Sequence, residues 1–174
     1  MLQKEEYVIL VDHNDNEVGT MEKMEVHQKG LLHRAFSVFV FNANNELMVH
    51  KRALGKYHSP GLWTNTCCSH PRPGESTEAA AHRRLQEEMG FDCPLEEALS
   101  FIYNKNLDND LTEHEFDHVF VGQYDGKPVI NTDEVYEWKF QTLGSLRSEM
   151  DQTPENFTEW FKICFDRVEA YLNR

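Results

Sequence analysis

The most restrictive feature of this chain is its C-terminal segment, where Phe157, Trp160, Phe161, Cys164, Phe165, Val168, Tyr171 and Leu172 recur at helical spacing. The pattern predicts a helix introduced by Thr153 as N-cap and by Pro154 at its first helical position. A helix with so broad an apolar stripe needs an equally apolar surface to cover it. The first half of the chain offers strands for that purpose. Tyr7–Val11 reads as a strand leading into a polar turn over residues 12–16. Residues 35–41 and 46–50 read as a hairpin about the turn at 42–45. Further strands are expected near 100–103, 113–121 and 136–140.

A second helix is expected over residues 76–89. Ser76 suits its N-cap, Glu78 its first turn and Gly90 the position after its end, while Ala81, Leu85 and Met89 form its buried stripe. Just before it, Pro60-Gly61 and Pro71-Arg72-Pro73-Gly74 bracket a loop that holds Cys67, Cys68 and His70. Strands interleaved with two helices predict an α+β domain, an α/β/α sandwich, spanning residues 1–174 as one unit.

Charge narrows the function classes. With 17 Lys and Arg against 30 Asp and Glu, the net charge of −13 repels nucleic acid and anionic lipid. No apolar run approaches the roughly 20 residues of a membrane span, and the charged start Met1-Leu2-Gln3-Lys4-Glu5-Glu6 does not suit a signal peptide. Of the four cysteines, Cys67 and Cys68 are adjacent and Cys93 and Cys164 stand apart, which suggests reduced thiols and a cytoplasmic location. An anionic small ligand would need clustered cations or metal ions against this background.

Two constellations offer such chemistry. Arg84, Glu87 and Glu88 share one face of the second helix, and by themselves read as a solvated charged stripe. His27, His33 and His70, with Glu113 and Glu115 two apart on an expected strand, would suit Mn²⁺, Zn²⁺ or Mg²⁺. Among the other histidines, His50 and His58 are expected to be structural.

From Ser69 to Phe91 the chain resembles the Nudix box: Ser69-x5-Glu75-x7-Arg83-Arg84-Leu85-Gln86-Glu87-Glu88-Met89-Gly90-Phe91. It departs from that pattern at Ser69, where the box opens with glycine, and at Arg84, where it has a metal-binding glutamate. The resemblance implies a Nudix-type sandwich with a mixed sheet. A Nudix pyrophosphohydrolase acting on nucleotides is the competing reading, and Arg84 argues against it, since a cation weakens the hydrolytic metal cluster. Nearly the whole chain resembles the type I isopentenyl-diphosphate isomerases. The motifs are His27-x5-His33-Arg34-Ala35-Phe36, Lys51-Arg52-Ala53, Pro60-Gly61-Leu62-Trp63-Thr64-Asn65-Thr66-Cys67-Cys68-Ser69-His70-Pro71, Glu113-His114-Glu115 and Trp160. The Thr-Asn-x-Cys-x-x-His run is not expected from packing needs.

That resemblance implies the interconversion of isopentenyl and dimethylallyl diphosphate through a tertiary carbocation. Cys68 and Glu115 would be the acid–base pair, Tyr103 would help Glu115 keep or relay a proton, and Trp160 would stabilise the cation. Lys23, Arg52, Lys56 and Arg84 would meet the diphosphate together with Mg²⁺ held partly by Glu88. A second divalent ion would sit among His27, His33, His70, Glu113 and Glu115. The implied partner is a small diphosphate substrate, with no nucleic acid and no membrane, and the chain is expected to be a monomer.

Overall fold

A computed structural model of the chain describes residues 6–174; Met1 to Glu5, most of the charged start, lies outside the described residues. Nine strands and four helices follow in the order β1 (Tyr7–Val11), β2 (Glu17–Glu22), α1 (Lys23–Lys29), β3 (His33–Phe41), β4 (Glu46–Arg52), β5 (Trp63–Thr64), β6 (Cys67–Ser69), α2 (Thr77–Met89), β7 (Leu95–Asn106), β8 (Thr112–Gln123), β9 (Val135–Thr142), α3 (Leu143–Gln152) and α4 (Glu159–Leu172). The result is an α+β sandwich on a mixed sheet.

Strand β3 organises the sheet because it is buried along almost its entire length, as a strand covered on both faces must be. It runs parallel to β8 from His33↔Glu115 to Phe41↔Gln123, and antiparallel to β6 through Phe36↔Ser69, Ser37↔Cys68 and Val38↔Cys67. Strand β7 continues outward from β8 in antiparallel register. The expected hairpin of β3 and β4 pairs only at its tip, Phe41↔Leu47. Beyond that point the strands diverge, and β4 takes β9 and β5 as partners instead.

The split would strand backbone groups in the interior, where an unmade hydrogen bond is costly. Asn65 and Thr66 close it. Thr66 Oγ1 accepts from the Val40 amide at 2.9 Å and donates to the Met48 carbonyl at 2.6 Å. Asn65 Nδ2 donates to the carbonyls of Val38 and Cys67 at 3.1 and 2.8 Å. Part of the Thr64–His70 run therefore does answer a packing need, contrary to the expectation from sequence. The segment expected as loop also contains the short strand β6, which carries both adjacent cysteines.

Helix α2 ends where its caps predict. Ser76 accepts from the Ala79 amide, and Gly90 takes a left-handed conformation at φ +70°. Helix α4 begins later than expected: Thr153 and Pro154 start a 3-10 turn over Pro154–Asn156, and Thr158 caps the helix proper. Phe157 therefore precedes the helix and packs with Phe161. One core layer joins α4 to β3, β4, β7 and β8 through Phe39, Val49, Val119, Phe161 and Phe165. The other joins α2 to the opposite face through Phe36, Val38, Leu85 and Met89.

Candidate active site

Four elements converge beside one cavity of about 410 Å³, which His70, Glu113 and Glu115 line directly. Helix α1 brings His27, the start of β3 brings His33, the residue after β6 is His70, and β8 brings Glu113 and Glu115. One ligand atom from each of these five residues lies within 4.8 Å of all the others. Helix α1 has only seven residues and no apolar stripe, so its ends are fixed by specific contacts. The Glu22 carboxylate accepts from the amides of Met24 and Glu25, and Gly30 closes the helix at φ +67°. The Gly30 carbonyl also contacts His114 Nδ1 at 3.1 Å, which ties the end of α1 to β8.

The histidine tautomers follow from their neighbours. His27 Nδ1 lies 2.6 Å from the Lys23 carbonyl and His33 Nδ1 lies 2.9 Å from the Leu31 carbonyl. A carbonyl only accepts, so each Nδ1 carries a proton. The Nε2 atoms of His27, His33 and His70, with Glu113 Oε2, are buried without hydrogen-bond partners. Burial drives His33 and His70 down to about 3, leaving neutral rings, while burial of His27 is outweighed by Glu113, which pulls it up. Burial acts to raise Glu113, but His27 and the neighbouring imidazoles hold it at about 2. Neutral His33 and His70, with His27 beside the ionised Glu113, form a closed cluster that fits a divalent cation, which would satisfy these orphaned atoms in place of the His27 proton.

Beside this cluster lie the expected reacting groups. Cys68 lines the cavity, and desolvation pushes its thiol up to about 12, so it is held as S–H. Cys67 points to the other side of β6, fully buried, and donates to Glu88 Oε2 at 3.1 Å. Tyr103 is the register partner of Glu115 and also faces the cavity. Burial raises its hydroxyl well above the ordinary tyrosine value. Trp160 is 4% exposed, lines the same space and leaves its Nε1 unpartnered. Below these groups Asp117 accepts from Ser37 Oγ at 2.8 Å and Cys164 Sγ at 3.1 Å, and burial raises it to about 7.

The other end of the cavity is lined by the expected cations, three of which are already paired with carboxylates. Lys23 Nζ lies 3.1 Å from Glu6, and Lys56 Nζ lies 2.5 Å from Glu134. Arg84 reaches Glu88 at 2.5 Å and Glu87 at 2.6 Å, with Glu134 at 3.5 Å. Arg52 stands apart from these pairs; its guanidinium lies 5.1 Å from the Trp160 ring centroid. Arg83 is engaged by Glu75 at 2.7 and 2.8 Å, a fork that braces the start of α2. His50 is structural as expected, buried with Nδ1 at 2.9 Å from the Thr66 carbonyl. His58 is not merely structural, because it lines the cavity with Nε2 3.5 Å from Glu113 Oε1. Glu6, Tyr57, His58 and Glu134 were not legible as site residues. They sit in loops or strand approaches, with no motif spacing to mark them.

Comparison with known proteins is consistent with this geometry. The NUDIX domain family matches residues 31–161. The chain is 56% identical to Isopentenyl-diphosphate Delta-isomerase 2 of Photorhabdus laumondii over 158 residues, covering 91% of this chain and 89% of that one. It is 54% identical to the protein of the same name from Aromatoleum aromaticum over 164 residues, covering 94% and 87%. Among solved structures, a Deinococcus radiodurans protein superposes with a TM-score of 0.78 at 19% identity, covering 93% of this chain and 98% of that one. The MutT protein of Methanosarcina mazei Go1 superposes at 0.67 and 16% identity, covering 82% and 96%. These two likenesses concern the fold alone.

Proposed function

We infer, from the premise that this chain belongs to the isopentenyl-diphosphate Delta-isomerases of the NUDIX family, that Cys68 and Glu115 are its acid–base pair. The enzyme interconverts isopentenyl diphosphate and dimethylallyl diphosphate. One proton is added at the terminal alkene carbon and another is lost from C2, so the double bond moves while the diphosphate stays whole. Cys68 and Glu115 act from opposite faces of the substrate. Because the reaction runs both ways, the group that gives a proton in one direction takes it in the other. The single observation that carries the assignment is that the Cys68 thiol and Glu115 line one cavity beside the histidine cluster.

Each neighbour has a role in this reading. Tyr103, opposite Glu115 on the adjacent strand, keeps or relays the carboxyl proton through its hydroxyl. Trp160 lays its indole along the cationic intermediate without offering a nucleophile, and a desolvated cation–π contact is worth about 2 kcal/mol. Lys23, Arg52, Lys56 and Arg84 bind the diphosphate oxygens, for which arginine forks are well shaped. His27, His33, His70, Glu113 and Glu115 would hold one divalent ion, Mn²⁺, Zn²⁺ or Mg²⁺, and Glu88 would share Mg²⁺ with the diphosphate. Such ions supply positive charge at Glu115 and at the phosphates. The free cysteines support a reducing, cytoplasmic setting, and we propose that the chain works as a single-domain monomer.

The competing hydrolase reading loses support at α2, where Arg84 occupies the carboxylates Glu87 and Glu88 that hydrolytic metal binding would need. The test is to incubate the protein with isopentenyl diphosphate and Mg²⁺ in D₂O and follow the vinyl resonances. Deuterium should enter the methyl groups with the diphosphate intact. Release of inorganic phosphate in place of isomerisation would overturn the reading.

A further inference from the structure

Three consecutive residues in the loop between β4 and β5 face the cavity at different levels. Lys56 stands among the diphosphate cations. Tyr57 lies against Lys23, whose Nζ is 4.8 Å from the ring centroid. His58 meets Trp160 edge to face, with centroids 5.4 Å apart and planes at 85°. Tyr57 in turn stands edge-on to His58 at 4.2 Å and 80°. Lys23, Tyr57, His58 and Trp160 thus form one packed wall running from the cations to the indole.

The chain is bent to make this wall. His58 is 3% exposed although it belongs to a loop. The next residue, Ser59, adopts φ +48°, a left-handed conformation unfavourable for a residue with a side chain. Arg52 Nη2 donates to the His58 carbonyl at 3.2 Å and holds the bend closed. The same Arg52 guanidinium lies over the indole, 5.1 Å from its centroid.

We infer that His58, backed by Tyr57, is a positioning residue that sets the indole of Trp160 at a fixed distance from the diphosphate cations and makes the site selective for a short branched tail. The inference rests on the reading that Trp160 covers the isoprenyl group. The imidazole stands edge to face with the indole, so on this reading a longer branch lying along the indole would meet it. Its ring packing, rather than its proton, does this work, so another flat ring of similar shape should substitute for it. A pocket wall of this kind discriminates one methylene by about 10- to 200-fold.

The test uses the full chain with isopentenyl diphosphate and its homologue bearing ethyl in place of methyl. In His58→Ala, kcat for isopentenyl diphosphate should fall while KM, set by the cations, changes by less than about threefold. The preference for methyl over ethyl should fall about tenfold or more. His58→Phe should restore the preference by restoring the edge-to-face contact. Tyr57→Ala, which removes the edge contact that backs His58, should lose part of it and serves as a second variant if His58→Ala does not fold. An unchanged preference in folded His58→Ala or in Tyr57→Ala would overturn the inference. A Trp160→Phe variant with unaltered kcat for isopentenyl diphosphate would instead overturn the tail-covering role of the indole on which it rests.

Discussion

Substituting the adjacent thiols one at a time should produce two different defects. Cys67→Ala removes a buried donor from Glu88 Oε2, and Glu88 is itself only 6% exposed. A hydrogen bond to a charged group is worth about 1.5–3 kcal/mol, and the cavity left by the sulfur adds to the loss. Arg84 still holds the other carboxylate oxygen at 2.5 Å, so Glu88 stays near its place. The expected result is about 2–4 kcal/mol of lost stability, a raised Mg²⁺ requirement, and kcat within about threefold of wild type at saturating Mg²⁺. Cys67→Ser should recover most of the stability because the hydroxyl donates in the same direction. Cys68→Ala should do the reverse, with little change in unfolding but a loss of about 10²–10⁴ in kcat, the usual contribution of a general acid or base. The assays are urea unfolding and turnover of isopentenyl diphosphate at matched metal loading. Catalysis abolished by Cys67→Ala and retained by Cys68→Ala would show that the reasoning has the wrong sulfur.

Arg84→Ala should weaken substrate binding roughly 10- to 100-fold by loss of a charge-assisted contact, and an unchanged KM would return Arg84 to a purely structural role. A strong chelator should abolish turnover, and His70→Ala should raise the dissociation constant for Mn²⁺ or Zn²⁺ measured by equilibrium dialysis. Thr66→Val should cost about 2–4 kcal/mol in urea unfolding, because the Val40 amide and Met48 carbonyl both lose their partner. For chelated protein, His33 and His70 are lowered to about 3 by burial, so stability present above about pH 6.5 should be lost as the pH falls toward 3. Asp117, raised to about 7, contributes with the opposite sign: its share is full below about pH 3.8 and lost as the pH rises through 7. Asp117→Asn should flatten that upper limb of the urea-midpoint profile.

The elements legible in the sequence were those that carry their own signals. Helix α2 has a cap at each end and a regular buried stripe, so its limits could be read directly. Helix α1 could not, because Lys23–Lys29 buries only Val26 and His27 and depends on Glu22 and Gly30. Helix α3 buries only Leu146 and Met150 and contains Gly144, and it too gave no periodic signal. Strand β2 buries none of its residues fully. The divergence of β3 and β4 was invisible because local turn chemistry predicts a hairpin, whereas the longer pairings with β8 and β9 decide it. In the site, the histidines, Glu113 and Glu115 were found by type and spacing, and Cys68 by resemblance. Glu6, Glu134, Tyr57 and His58 act through loop geometry that no local pattern encodes.

If Lys23, Lys56 and Arg84 bind the diphosphate, as proposed, the carboxylates that pair with them turn ligand binding into an exchange reaction. At these three cations an arriving anion does not meet bare positive charge; it must displace Glu6, Glu134 and Glu88 from partners they already hold. A lone monovalent anion gains little by doing so, while a diphosphate that brings its own divalent ion gives the displaced carboxylates a new counter-charge. The same internal anions would retake the cations as the product departs, which would lower the barrier to its release. Substrate and product carry the same diphosphate, so without these competitors the strongest contacts in the site would retain both alike and slow turnover in either direction.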